Sequence, residues 1–301
     1  MLEISNVVQT FRTGFWMKNV TVLHDVSFTI PDRSVFGFLG ANGAGKTTLI
    51  ALMVGLRQPT SGTVKLKGID CYDPKAKAKV GYLPERPYFH DHLTGENLLK
   101  YFGALSGMSS RQIEARTVQV LKQVGMSHAR KLELKKYSKG MLQRIGIAQA
   151  ILHEPEFLVL DEPMSGLDPV GRKEIRELIT QLAHDGHTVF FSSHVIPDVE
   201  AICDRVALIQ KGKLLACGSI HDLLAQGAQG SGDVEVGFQG VSLEVAQKLT
   251  AFKSVRVIPE GIRAVHAGQQ GLEATLSHLI QNQAKILWVQ PIRPSLEDVF
   301  K

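Results

Sequence analysis

The stretch VFGFLGANGAGKTTLIALMV at residues 35–54 decides the fold, because it joins an apolar strand to a helix through a glycine-rich loop. Residues 40–47 match the pattern G-x-x-x-x-G-K-[ST]. In such loops the backbone N–H groups and the start of the next helix face a phosphate. We expect Lys46 to neutralise phosphate charge and the Thr47 hydroxyl to ligate Mg²⁺. The predicted nucleotide-binding residues are Asn42, Gly43, Ala44, Gly45, Lys46, Thr47 and Thr48.

A second apolar run, FLVL at residues 157–160, ends in the carboxylates Asp161 and Glu162. Ligands of such sheets bind at the carboxyl ends of the strands. We therefore expect Asp161 to hold Mg²⁺, directly or through water. Glu162 is then placed to orient and polarise a water that attacks the phosphate.

A third run, TVFFSS at residues 188–193, ends at His194. A neutral imidazole can donate one hydrogen bond and accept another. Because this histidine ends a strand as Asp161 and Glu162 do, we interpret it as a sensor of the γ-phosphate.

The composition is that of a globular protein, and the chain length favours one large domain plus a small one, or two domains. The chain has 301 residues, 44% of them hydrophobic, and a formal net charge of +5. No apolar run approaches the roughly 20 residues that cross a bilayer, so we expect no membrane span. Residues 1–10 have no basic region followed by an apolar one, so we do not expect the protein itself to be secreted. The three cysteines, Cys71, Cys203 and Cys217, are far apart, which favours reduced thiols over a disulfide framework or a zinc site.

The order of the apolar runs and helical patterns predicts two domains. Up to about residue 220 they alternate as in an α/β domain with a largely parallel sheet. We place the first domain at residues 1–225, a glycine-rich linker at 226–233 and a small domain at 234–301. The small domain reads βαββαβ, which indicates a ferredoxin-like α+β fold without a catalytic set of residues.

The motifs together resemble those of the ATP-binding subunits of ABC transporters. The order is GANGAGKT, YSKGM at residues 137–141, FLVLDEP, SGLD at residues 165–168, and His194. The C-terminal residues 294–300 are similar to the end of subunits from bacterial exporters for drugs, sodium, polysaccharide or other lipid-linked cargo. The resemblance implies a P-loop ABC ATPase domain with a mixed sheet core and a helical subdomain at about residues 86–152.

The resemblance also implies a signature that acts in trans, on the nucleotide of a second copy. The matching residues are Ser138, Lys139, Gly140 and Met141, and Asp168 falls in the family's D-loop. Ser138 is predicted to cap a helix at about residues 141–152, which creates an anion site. Lys139 replaces a glycine of the family pattern and either adds a cation near the phosphate or points to water.

Two further positions depart from the family or leave alternatives open. Glu85 stands where most of the family carries glutamine, and we expect it to contribute to the Mg²⁺ site. Phe11 falls where the family stacks an aromatic ring on adenine, with Phe15 and Trp16 as alternates.

The helical subdomain has a set of aromatic and aliphatic residues that fits one of two roles, which are to receive a membrane partner or to form the core of the subdomain. The set is Tyr88, Phe89, Leu93, Tyr101 and Phe102. A basic cluster nearby indicates either a solvated helix face or an anionic neighbour. It consists of Arg130, Lys131, Lys135, Lys136, Lys139 and Arg144.

The sequence thus predicts a homodimeric ATPase that uses ATP and Mg²⁺ and drives an integral membrane permease, with export as the expected direction. It would be cytoplasmic and peripheral to the membrane, with no nucleic acid as partner. The alternative is a soluble ABC ATPase that acts on ribosomes or DNA. A nucleotide-binding module without turnover conflicts with the presence of both Glu162 and His194.

Overall fold

The computed structural model describes residues 1–14, 18–227, 232–248, 251–268, 270–292 and 295–297. Within it the chain divides into two compact units, Met1–Ile220 and His221–Lys301. None of the helices in the described ranges combines the length and the hydropathy of a membrane-spanning segment.

The first unit begins with an antiparallel sheet that the sequence patterns did not predict. Its strand order is β2-β1-β4-β5. The strands are β1 (Leu2–Thr13), β2 (Lys18–Ile30), β4 (Ser61–Leu66) and β5 (Ile69–Asp70).

The second sheet of this unit has six strands in the order β10-β9-β3-β8-β7-β6. They are β3 (Val35–Leu39), β6 (Val80–Leu83), β7 (Phe157–Leu160), β8 (Thr188–Ser193), β9 (Arg205–Gln210) and β10 (Lys213–Ser219). All neighbouring pairs are parallel except β9 with β10. Strands β3, β7 and β8 are buried along their whole length, which explains their continuous apolar runs.

A column of phenylalanine rings joins the two sheets. Phe28 of β2 stacks on Phe36 of β3 with ring centroids 5.5 Å apart, and Phe36 stacks on Phe190 of β8 at 6.1 Å. The apolar side chains of the first helix, among them Leu49 and Met53, belong to the same buried cluster. This core fixes the loop between β3 and that helix at the carboxyl edge of the six-stranded sheet.

Eight helices are described in or beginning in the first unit. They are α1 (Lys46–Met53), α2 (Pro74–Lys77), α3 (Gly95–Leu105), α4 (Ser110–Gln123), α5 (Lys139–Ile151), α6 (Pro169–His184), α7 (Ile196–Ile202) and α8 (Ile220–Gly227). Helices α3, α4 and α5 pack on one another in the segment predicted as the helical subdomain. The predicted linker at 226–233 overlaps the end of α8, and residues 228–231 lie outside the described ranges.

The second unit has the element order β-α-β-β-α-β. The elements are β11 (Val234–Gln239), α9 (Leu243–Lys248), β12 (Phe252–Ile258), β13 (Gly261–His266), α10 (Leu272–Gln281) and β14 (Lys285–Pro291). The sheet order is β12-β13-β11-β14, and every neighbouring pair is antiparallel. Val236, Phe238, Ala264 and Leu279 are completely buried in its own core.

Candidate functional site

The loop of residues 40–45 carries the chain from β3 into α1. Gly45 occupies the N-cap position of α1 in a left-handed conformation, with φ of 106°, and no side chain caps the helix. A Cβ at this position would also collide with Leu23. Glycine is therefore required at this position. Because no side chain caps α1, its first N–H groups remain available to donate to an anion. The helix itself starts at Lys46, inside the motif.

Lys46 is buried and turns back over the loop. Its ammonium donates to the carbonyls of Gly40 at 2.6 Å and Ala41 at 3.3 Å. It also lies 3.2 Å from Glu162 Oε1, where the two side chains form an ion pair. The lysine is thus directed at the point where β7 ends.

A serine that the sequence reasoning did not single out organises the two carboxylates. The Ser192 hydroxyl donates to Asp161 Oδ1 at 2.6 Å and accepts from the backbone N–H of Glu162 at 2.9 Å. Glu162 has a φ of 49°, a left-handed conformation that is costly for a residue with a side chain. The adjacent strand β8 therefore sets the geometry at the end of β7.

His194 lies within hydrogen-bond distance of Glu162. Its Nδ1 is 2.9 Å from Glu162 Oε2, and because a carboxylate only accepts, the ring donates from Nδ1. The ring can then donate to a phosphate oxygen from Nε2 only if it carries a second proton or releases Glu162. The side chain is 43% exposed, so it has room to turn.

These groups border one cavity of about 400 Å³. Its lining contains Val22, Asn42, Gly43, Gly45, Lys46, Thr47, Thr48, Glu85, Glu162, Ser165 and His194. Asp161 lies behind this lining, only 2% exposed, and Ala44 is buried as well. Phe11 is absent from the described lining, and the Arg57 guanidinium lies 4.9 Å from the centre of its ring. Phe15 and Trp16 fall outside the described residues.

The oxygen donors predicted for Mg²⁺ converge from three segments of chain. The Thr47 hydroxyl is hydrogen-bonded to Asp161, and Glu85 lines the same cavity. Burial raises the pKa of Asp161 above its ordinary value, and the charges of Glu162 and Glu85 add to this rise. A divalent cation favours the ionised carboxylate, and Mg²⁺ takes one or two carboxylates together with phosphate oxygens. The donor set therefore fits Mg²⁺.

Replacing Asp161 with asparagine is expected to raise the melting temperature of the nucleotide-free protein while abolishing Mg²⁺-dependent hydrolysis. A raised pKa means that the folded state disfavours the ionised acid, and this penalty vanishes below the ordinary value of 3.8 and is complete above the folded-state pKa. The gain should therefore shrink as the pH falls through the folded-state pKa of Asp161 towards 3.8, measured by scanning calorimetry. The exposed Asp185 supplies the control for the loss of a carboxylate, since Asp185→Asn should leave hydrolysis intact. A lower melting temperature for Asp161→Asn at every pH would contradict this account.

The signature residues line a different cavity, of about 730 Å³. Ser138 caps α5 and accepts from the backbone N–H of Met141 at 3.2 Å, so the helix begins two residues before the predicted start at Met141. Lys139, Gly140 and Met141 line the cavity with it. The Lys139 ammonium lies so close to Gly166 that a Cβ there would collide with it.

The SGLD loop at residues 165–168 borders both cavities. Ser165 lines the first, whereas Gly166, Leu167 and Asp168 line the second. Asp168 caps α6 and accepts from the N–H of Gly171 at 2.9 Å. The two cavities of one chain are thus connected through a single short loop.

The sequence patterns did not identify three residues, of which Val22 and Ser165 line the first cavity and Ser192 supports Asp161. Ser165 and Ser192 stand within motifs quoted above. Their polar side chains, one in the SGLD loop and one at the end of a buried strand, were the available signal. Val22 carries no signal, because its strand belongs to the sheet that was not predicted.

Comparisons with known proteins agree with the motifs. The family described as ABC transporter matches residues 23–165. A Synechocystis protein named an uncharacterised ABC transporter ATP-binding protein is 39% identical, over 98% of this chain and 84% of its own length. The bacitracin transport ATP-binding protein BcrA of Bacillus licheniformis is 36% identical, over 91% of this chain and 90% of its own.

A solved structure described as the ATP-binding subunit of an ABC transporter has a similar fold. Its TM-score is 0.66 at 28% sequence identity, and the match covers 83% of this chain and 99% of that one.

Proposed function

The chain belongs to the ABC transporter ATP-binding proteins and is an ATPase of that type, and from this premise we propose that two copies enclose two ATP molecules and drive a separate membrane permease in export. One observation carries the proposal. Lys46, Glu162 and His194 line one cavity, whereas Ser138 and its neighbours line another. Each chain therefore offers both halves of a phosphate site at separate places, as a head-to-tail pair would require.

The first half of the site, which is the loop before α1 together with Lys46, binds the phosphate. The N–H groups at the start of α1 donate hydrogen bonds to the anion, and Lys46 supplies the positive charge. Because Lys46 pairs with Glu162 in this structure, a bound phosphate competes for the lysine. Glu162 is then free to accept a proton from water, which is the role of a general base.

Magnesium would be held by Thr47 and Asp161, with Glu85 at the cavity wall. Its chemical contribution is to neutralise charge on the phosphate oxygens. Ser192 keeps Asp161 in place by its hydrogen bond, and His194 holds Glu162 from the other side. The residues of this chain thus orient both carboxylates before substrate binds.

The second half of the site is completed in trans. Ser138 and Lys139 are exposed at the start of α5, and Lys139 places a cation there. We propose that these groups contact the γ-phosphate held by the other copy. Asp168 and the rest of the SGLD loop would lie at the same interface.

The permease would dock on the helical subdomain, on the cytoplasmic face of the membrane. Tyr88 is 93% exposed and Tyr101 48% exposed, whereas Phe89 and Phe102 are half-buried and in edge-to-face contact. The two tyrosines support the docking interpretation and the phenylalanines serve the core of the subdomain. The basic cluster is partly paired, since Arg130, Lys135 and Arg144 each have an acidic partner.

The experiment that tests the proposal is co-purification. A chain with about six apolar segments of roughly 20 residues, encoded beside this one, is the permease to co-express. We expect the ATPase to remain with it in detergent and its hydrolysis rate to change on binding. Recovery of the ATPase with ribosomes or DNA, and not with the permease, would support the soluble alternative instead.

We further propose that residues 234–301 form a ferredoxin-like domain that regulates or supports the dimer. Its sheet order and its own buried core support this assignment. A chain cut at Gly230 is expected to stay folded and to bind ATP, while its ATP-dependent dimer weakens. Thermal melting with and without ATP measures the first property and sedimentation the second. The absence of a cooperative transition would mean that the tail belongs to the catalytic fold.

A further inference from the structure

Asp198 is a buried carboxylate shared by two arginines outside the site described above. It lies in α7 and is 2% exposed. Arg176 donates to its Oδ1 at 2.8 Å, and Arg172 Nη2 lies 3.2 Å from its Oδ2. A carboxylate withdrawn from water is strongly disfavoured unless cations pair with it. These two ion pairs therefore stabilise the contact of α7 with α6.

The position of Asp198 in the chain connects it to the site. It follows His194 by one turn, and its backbone N–H donates to the carbonyl of Val195 at 3.3 Å. Val195 in turn donates to Ser193 Oγ at 3.0 Å. This tight segment leaves little freedom between α7 and the histidine.

The arginines belong to the helix that the SGLD loop begins. Arg172 and Arg176 are one turn apart in α6, so they lie on the same face of the helix. The helix starts directly after Asp168, its N-cap. The shared carboxylate thus ties the helix of the SGLD loop to the helix that follows His194.

We propose that Asp198 is a positioning residue for ATP hydrolysis, because its ion pairs hold α7 against α6 and so keep His194 beside Glu162. The inference rests on the proposed role of His194 in the hydrolytic site. A displacement of about 1 Å at a reacting group can cost up to about 100-fold in rate. Loss of these ion pairs should therefore affect turnover more than nucleotide binding.

The test is a double-mutant cycle with the full chain. Asp198→Asn keeps the shape of the side chain and removes its charge. We expect kcat to fall by about 10-fold or more, with KM for ATP nearly unchanged. In a His194→Ala background, Asp198→Asn should produce no further loss, because both changes act through the same ring.

A second variant guards against a folding defect. Arg176 is 27% exposed, so Arg176→Gln leaves Asp198 paired with Arg172 and should fold. It should lower kcat less than Asp198→Asn does, and Arg176→Lys should restore most of the rate. The matched control is Glu177→Gln, which removes an exposed ion pair with Lys173 from the same helix and should leave the rate unchanged.

The outcomes distinguish a failure of the inference about Asp198 from a failure of the proposed role of His194. Additive losses in the cycle, or a lower melting temperature with unchanged kcat, would make the ion pairs merely structural and overturn the inference. If His194→Ala itself hydrolyses ATP at the normal rate, the proposed role of His194 fails and the inference fails with it. If only Asp198→Asn and Arg176→Gln are without effect, the proposed function stands and the inference alone is wrong.

Discussion

Replacing Glu162 with glutamine is expected to slow ATP hydrolysis by about 10²-fold to 10⁴-fold while ATP still binds. The amide keeps the shape of the side chain but cannot accept a proton from water. It also ends the ion pair with Lys46, so a competitor for the phosphate is removed and ATP affinity should stay equal or rise. ATP should then hold the dimer, because the enclosed nucleotide is no longer consumed.

The rate is measured by phosphate release, and the dimer by sedimentation with ATP and Mg²⁺. Glu156→Gln is the matched control. Glu156 lies just before β7 and pairs with Lys67 and Lys79 on the surface, so its loss should change neither property. Near-normal hydrolysis by Glu162→Gln would remove this residue from the role of base.

Replacing Ser138 with arginine is expected to abolish hydrolysis while each copy still binds ATP. The serine caps α5 in a cavity separate from Lys46, so a bulky cation there leaves the phosphate loop intact. It would instead block the approach of a second copy. Equilibrium binding of a fluorescent ATP analogue checks the first expectation, and phosphate release checks the second.

A matched change at another helix start controls for the loss of a cap. Ser109 caps α4 with a capping box on the surface of the helical subdomain. Ser109→Arg should lower stability modestly, by about 1 kcal/mol, and leave hydrolysis intact. Equal loss of hydrolysis in both variants would mean that Ser138 acts only through the fold.

The sequence predicted those parts of the site that are local in the chain. The loop before α1, the acids after β7 and the histidine after β8 each follow a buried strand, and parallel strands bring such residues to one edge. Ser138 was predicted as a cap because serine at a helix start has a direct physical role. Local pattern therefore sufficed to predict where these residues lie, whereas their roles in nucleotide binding and hydrolysis stay predictions.

What the sequence did not predict depends on contacts between distant segments. The ion pair of Lys46 with Glu162 and the pairing of Asp198 with two arginines require three-dimensional proximity that no spacing encodes. The antiparallel sheet was missed because its long strands β1 and β2 are irregular, with shifts in register that interrupt the alternation of buried residues. The contact of Phe11 with Arg57 also joins distant segments of the chain, so it was not predicted either.

Mixing two inactive variants tests the central claim most directly, which is that each hydrolytic site combines the phosphate loop of one copy with the signature of another. Lys46→Ala lacks the phosphate-binding cation, and Ser138→Arg lacks the signature. A mixed dimer contains one site free of both changes, so ATP hydrolysis should reappear on mixing and rise with protein concentration. Mixtures that stay as inactive as their components, although each variant is folded, would contradict the shared site.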